Sequence, residues 1–148
     1  MKKVIFFIAI CFSFLNQLTA QSQTSASNLY KGTLDGKTPV TIYIKIEENP
    51  CTADLMYTSM YRLNKSKNWT QLDITQNKKK ENEFVMVEHG FSGVFILQKT
   101  GNTFSGLWIS PDAKKQLKVD LKEATMTKKE IENHESTMEK VNYENHDC

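Results

Sequence analysis

The sequence predicts an all-β fold, an antiparallel up-and-down meander of about eight short strands closing into a small barrel, followed by a short C-terminal helix. Across residues 28–124, apolar and polar side chains alternate with a period of two, as on strands with one buried face. Turn signals interrupt the alternation at short intervals, which is the pattern of an all-β chain. The even strand count lets the first and last strands of a meander pair antiparallel, which removes both exposed edges. Eight strands enclose room for packed side chains or one small ligand. A two-sheet sandwich is the alternative arrangement of the same strands.

Residues 1–20 fall outside this fold. Lys2 and Lys3 precede an apolar run over residues 4–15, and Leu18-Thr19-Ala20 forms a small-residue exit, the layout of a secretory signal peptide of bacterial type. The run is shorter than the roughly 20 residues a membrane span needs, so no stable span is expected after cleavage. Cys11 lacks the small preceding residue of a lipid-anchor site. The division predicted is residues 1–20 signal peptide, 21–27 flexible leader, 28–124 barrel, and 125–148 C-terminal helix and tail. Cleavage removes two lysines and no acids, leaving 17 basic residues against 17 acidic ones. That balance argues against a nucleic-acid binder, which carries a strongly basic face. A secreted or periplasmic location also leaves Cys51 and Cys148 as a candidate disulfide pair, with free thiols or a link to another chain as alternatives.

The strands follow in order. Residues 29–34 form the first and end at the turn dipeptide Asp35-Gly36. Pro39 opens the second, where Val40, Ile42, Ile44 and Ile46 alternate with Thr41, Tyr43, Lys45 and Glu47. The third places Leu55, Tyr57, Ser59, Tyr61 and Leu63 in one phase, with Met56 and Met60 blurring the other. Residues 69–76 supply a fourth with Leu72 and Ile74 inward, and residues 84–88 a fifth that ends at a tight turn, His89-Gly90.

Strands six and seven come from a repeated phrase, Phe91-Ser92-Gly93-Val94-Phe95-Ile96 and Phe104-Ser105-Gly106-Leu107-Trp108-Ile109. Gly101-Asn102 between the copies suits a type II′ hairpin, whose first central residue needs positive φ. That loop sets Thr100 opposite Thr103, Leu97 opposite Gly106 and Phe95 opposite Trp108, with Phe91, Gly93, Phe104 and Gly106 on the same face. The glycines mark a sharp bend of the sheet or a close packing partner. Leu117, Val119 and Leu121 alternate with lysines and an aspartate in the eighth strand. Beyond it, Thr127-Lys128-Lys129-Glu130 has capping-box spacing, and Ile131, His134, Met138 and Val141 make a thin helical stripe before a frayed tail over residues 142–148.

No catalytic signature is present: there is no Gly-x-Ser-x-Gly elbow, His-Glu-x-x-His pair, phosphate loop or Cys-x-x-Cys. The chain is expected to be non-enzymatic, with no catalytic residues and no cofactor. His134, His146, Asp147 and Cys148 are competent metal ligands, but a tail presets no coordination geometry, so no metal site is assigned. In a meander the loops after strands one, three, five and seven share one end of the barrel. That end gathers Tyr61, Trp69, Phe91 and Trp108 as a candidate ligand-contact set, inside a basic rim of Lys37, Lys65, Lys67, Lys114 and Lys115. Such a mouth suits a small apolar or carbohydrate-like ligand carrying negative charge, or an anchor patch for a secreted protein. Packing of the rings in the core is the structural alternative.

The succession of strands and the early Tyr30-x-Gly32 resemble the small secreted calycin barrels, lipocalin-like and avidin-like, over residues 28–124. That resemblance implies ligand binding in an open barrel end. Ser92-Gly93-Val94-Phe95 and Ser105-Gly106-Leu107-Trp108 are similar for two residues to the Ser-Gly-x-x-Tyr element of a group of periplasmic lysozyme inhibitors, then depart from it at the tyrosine. A small-ligand carrier is therefore the first expected function, requiring a cavity lined by the aromatic set. An inhibitor or interaction module is the second, requiring a filled core with an exposed aromatic patch.

Overall fold

A computed structural model describes residues 25–52 and 54–146. The strands are β1 (Ser25–Leu34), β2 (Thr38–Glu48), β3 (Leu55–Leu63), β4 (Thr70–Gln76), β5 (Glu83–Glu88), β6 (Val94–Thr100), β7 (Thr103–Ile109) and β8 (Gln116–Ala124). They pair in sequence order, every pair antiparallel, and β1 pairs with β8 to close the barrel. A helix, α1 (Lys128–His146), follows. The sandwich is thereby excluded, and the signal-peptide segment lies outside the described residues.

Local chemistry accounts for the turns. Asp35 and Gly36 both have positive φ, 49° and 65°, as a type I′ hairpin requires. Gly101 alone is positive, at 57°, in the β6–β7 hairpin, and the register there sets Thr100 against Thr103, Leu97 against Gly106 and Phe95 against Trp108, as the loop chemistry predicts. β1 starts at Ser25 and so takes in residues 25–27 of the expected leader. The length of β2 explains this, since Ser25, Ala26 and Ser27 pair with Glu47, Ile46 and Lys45.

The barrel interior is a packed aliphatic and aromatic core that includes Tyr30, Val40, Ile42, Ile44, Leu72, Met86, Phe95, Phe104 and Val119. Tyr30 meets Phe104, and Phe84 meets Phe104, edge to face at 4.8 and 5.3 Å, an arrangement that suits the ring quadrupoles. A second cluster lies outside the barrel, where Leu29, Tyr43 and Met60 on the outer faces of β1, β2 and β3 pack against Met138 and Val141 of α1. Tyr43 and Met60, in the phase the alternation marks as polar, are thus fully buried.

Helix α1 begins with the predicted capping box. The backbone N–H of Thr127 donates to Glu130 Oε2 at 2.8 Å, and that of Glu130 donates to Thr127 Oγ1 at 3.3 Å. It continues through residues 142–146, beyond the expected fray. There Gln71 Nε2 donates to Asn142 Oδ1 and Asn145 Nδ2 donates to Gln71 Oε1, so β4 holds the last turns.

His134 sits at the centre of this docking, stacked on Tyr43 at 4.9 Å and edge-on to Trp69 at 5.4 Å. Burial, and then the Arg62 guanidinium, hold its pKa below the usual 6.5, with Lys31 acting in the same direction and Glu130 opposing. A base with a depressed folded pKa binds fewer protons folded than unfolded. Its neutral form therefore supports docking above pH 6.5, and that support is lost as pH falls through the folded pKa. Wild type should lose melting temperature faster below pH 6.5 than His134→Phe does. Equal slopes for the two proteins would contradict this role.

Candidate functional site

The two ends of the barrel are built differently, and a charged residue on the inward phase marks each. At the end formed by the loops after β1, β3, β5 and β7, the inward phase of β5 runs Phe84, Met86, Glu88. Glu88 is only 3% exposed. Three donors converge on its side chain: the Tyr61 hydroxyl and the Trp108 indole N–H each donate to Oε1 at 2.6 Å, and the Ser92 hydroxyl donates to Oε2 at 2.5 Å. The Glu88 backbone N–H donates to the Gly93 carbonyl at 2.9 Å, closing the loop on itself. A buried acceptor is tolerable only when so satisfied. Burial, and then Glu88, raise the Tyr61 pKa far above that of a free phenol, so its proton stays on the hydroxyl as a donor.

Gly93 makes this arrangement possible. A Cβ there would lie 2.4 Å from Trp108 Nε1 and 2.6 Å from Glu88 Oε1, so only glycine leaves the indole room to reach the carboxylate. Gly106, the equivalent position of the repeat, serves a different end. Its Cβ would lie 2.0 Å from the Ile96 carbonyl oxygen, so the β6 and β7 backbones approach closely there. Close packing therefore applies to both glycines, against side chains at Gly93 and against backbone at Gly106.

Of the four aromatic residues singled out from the sequence, the structure joins Tyr61 and Trp108 through Glu88. Phe91 leaves the strand in a 3-10 turn (His89–Phe91), with φ of 55°, and is 58% exposed. Trp69 stands apart from them, outside the barrel. It lies under the Arg62 guanidinium at 4.6 Å and against His134. Counting back by twos from the inward Leu72 puts Thr70 inside and Trp69 outside, a signal the alternation contained. Lys37, Lys65, Lys67, Lys114 and Lys115 are exposed in the loops of this end. Lys114 Nζ lies 3.9 Å from Asp112, and Lys115 Nζ lies 5.9 Å from the Trp108 ring centroid. Cys51 is exposed in the loop between β2 and β3, and Cys148 lies outside the described residues.

A cavity of about 280 Å³ opens at the opposite end of the barrel. Its walls are Tyr30, Ile44, Ile46, Tyr57, Ile74, Phe84 and Phe104, and its polar edge is Asn28, Gln76, Glu81 and Lys99. These residues come from β1, β2, β3, β4, β6, β7 and the start of β5, with Glu81 from the β4–β5 loop, so closure of the barrel is what assembles them. Several edge groups are already positioned. The Tyr57 hydroxyl donates to Gln76 Oε1 at 3.0 Å, Gln76 Nε2 donates to the Glu81 carbonyl at 2.6 Å, and Asn28 Nδ2 donates to Glu123 Oε1 at 2.9 Å. Burial, and then Glu123, push the Tyr30 hydroxyl up to about 12, which keeps it protonated at the cavity wall. Lys99 continues the inward phase of Phe95 and Leu97, with its Nζ 5.9 Å from the Phe104 ring centroid.

This is a small closed barrel whose aromatic-lined cavity is consistent with ligand binding, in an architecture consistent with calycin-like barrels. Comparison with known protein families, with curated proteins and with solved structures finds no match. Among the described residues no three His, Cys, Asp or Glu side chains are grouped to hold a metal ion, and no helix is long and apolar enough to cross a membrane.

Proposed function

We propose that the chain is a secreted or periplasmic, non-enzymatic binding protein that carries a small, largely apolar ligand in the barrel. The cavity with Tyr30, Tyr57, Phe84 and Phe104 in its wall is the observation that supports this reading best. An apolar enclosure with a few positioned polar groups at its edge is what small-molecule sites generally consist of. Its volume lies just below their usual range of about 300–1,000 Å³, which favours a ligand of roughly ten non-hydrogen atoms over a drug-sized one. The ligand enters from the Gln76 and Lys99 end, opposite the end with the basic rim.

The test is to purify the protein from its own cells, extract it with solvent, and identify small molecules by mass spectrometry. Wild type should yield a compound that is depleted when Ile74→Trp fills the cavity. Equal recovery from both proteins would contradict the assignment.

One observation favours a second reading, an interaction module for another secreted protein. Phe91 projects from a turn that the Ser92–Glu88 bond holds in place, beside a lysine-bearing rim. A rigid exposed aromatic is the usual anchor of a protein interface. The Ser92-Gly93 pair that suggests an inhibitor element is engaged internally, so Phe91 is the contact residue on this reading. Phe91→Ser should then abolish partner capture while leaving ligand recovery unchanged, and capture that survives the substitution would contradict it.

A further inference from the structure

Lys99 has no structural task that requires a lysine. Its place in the sheet is fixed by the backbone, whose N–H donates to the Asn82 carbonyl at 2.7 Å, and its side chain follows Phe95 and Leu97 on the interior phase of β6. No carboxylate among the described residues pairs with it within 4.0 Å; exposed loop lysines such as Lys37 and Lys65 also have none, but Lys99 is on an inward phase. It is half-buried, with its ammonium over the Phe104 ring and its stem in the cavity wall.

From this placement we infer that the carried ligand is a short amphiphile with a carboxylate head, its tail among Ile44, Ile46, Ile74 and Phe84 and its head on the Lys99 ammonium. The inference rests on the carrier reading above. An apolar tail alone would match the walls and leave the cation with only the face of the Phe104 ring. A carboxylate forms a charge-assisted bond with it at the edge of a low-dielectric space, where such a bond is stronger than in water. Acids at this end oppose an anion, among them Glu123 on the inward phase of β8, Glu81 in the loop after β4 and the exposed Glu48 at the end of β2. Glu123 is engaged by the Asn28 amide, and Glu81 is an exposed loop residue whose field water screens. Among the described residues Lys99 is the only cation that lines the cavity, and it is less exposed than Glu81. The Tyr30 hydroxyl, held protonated, and the Asn28 amide are further donors near the mouth.

Three probes with one tail separate the possibilities: octanoate, 1-octanol and octylamine, titrated calorimetrically into the purified protein and into Lys99→Met, which keeps the apolar stem. Octanoate should bind wild type about tenfold or more tighter than octanol, equivalent to about 1.4 kcal/mol. In Lys99→Met that preference should vanish while octanol affinity is kept. If octanol binds but octanoate binds no better, if the substitution leaves the preference intact, or if octylamine binds tightest, the anionic head is overturned and the carrier reading stands. If none of the three binds wild type, the carrier reading fails, and this inference fails with it.

Discussion

Glu88→Ala is expected to lower folding stability by about 3 to 5 kcal/mol, the usual result of removing one side of a buried charged hydrogen-bond set. The substitution strands three donors at once. The Tyr61 hydroxyl and the Trp108 indole N–H lose their acceptor in a part-buried to buried setting, and the Ser92 hydroxyl loses the bond that folds the turn back on β5. Each buried unsatisfied group costs about 1 to 3 kcal/mol, and the losses do not add fully because the three share one acceptor. Glu88→Gln should fall between the two proteins, because its carbonyl oxygen still accepts while its amide meets donors instead of lone pairs. Urea unfolding followed by tryptophan emission measures both. A loss below about 1 kcal/mol for the alanine variant would mean that water replaces the carboxylate and that this end of the barrel is not sealed.

Gly106→Ala is the second substitution with a large expected effect, about 3 kcal/mol or more, at the upper end for overpacking. The added methyl carbon would meet the Ile96 carbonyl oxygen at 2.0 Å, and that atom belongs to the backbone ladder. Relief therefore requires β6 and β7 to separate where Gly106 pairs with Leu97 on one side and Val119 on the other. Gly93→Ala makes an informative contrast. Its clashes are with the side chains of Trp108 and Glu88, which can move, so it should cost less stability yet red-shift Trp108 emission as the indole is expelled. If Gly106→Ala is the milder of the two, the close backbone approach is not what fixes the glycine.

Much of the barrel was legible because alternation and turn chemistry are local. The hairpin at Gly101-Asn102 fixed its own register, and the capping box at Thr127 and Glu130 located the start of α1. What the alternation alone does not convey is where the helix docks. Tyr43 and Met60 lie in the outward phase and would be solvated on an uncovered barrel; they are buried because α1 lies over them, a fact set by tertiary contacts. The site was only partly legible for a different reason. Loop placement put Tyr61, Phe91 and Trp108 at one end, but grouping by proximity to a loop overlooked the phase of each side chain. Phase assigns Trp69 to the outside. It also assigns charged residues to the inside, Glu88 at one end and Lys99 with Glu123 at the other, and a buried charge on the inward phase of a strand demands a partner. Glu88 finds its partners within the chain. Lys99 lies over the Phe104 ring and has no carboxylate partner within 4.0 Å among the described residues, and that difference separates the sealed end from the open one.

If ligand enters the Lys99 end of the barrel, the Glu88 end should be left undisturbed. The most direct measurement is a two-dimensional amide NMR titration of the isotope-labelled protein with octanoate. Shifts concentrated at Ile46, Tyr57, Phe84, Lys99 and Phe104, with Tyr61, Ser92 and Trp108 unmoved, are the predicted result. Shifts centred on Phe91, Ser92 and Trp108 instead would contradict it.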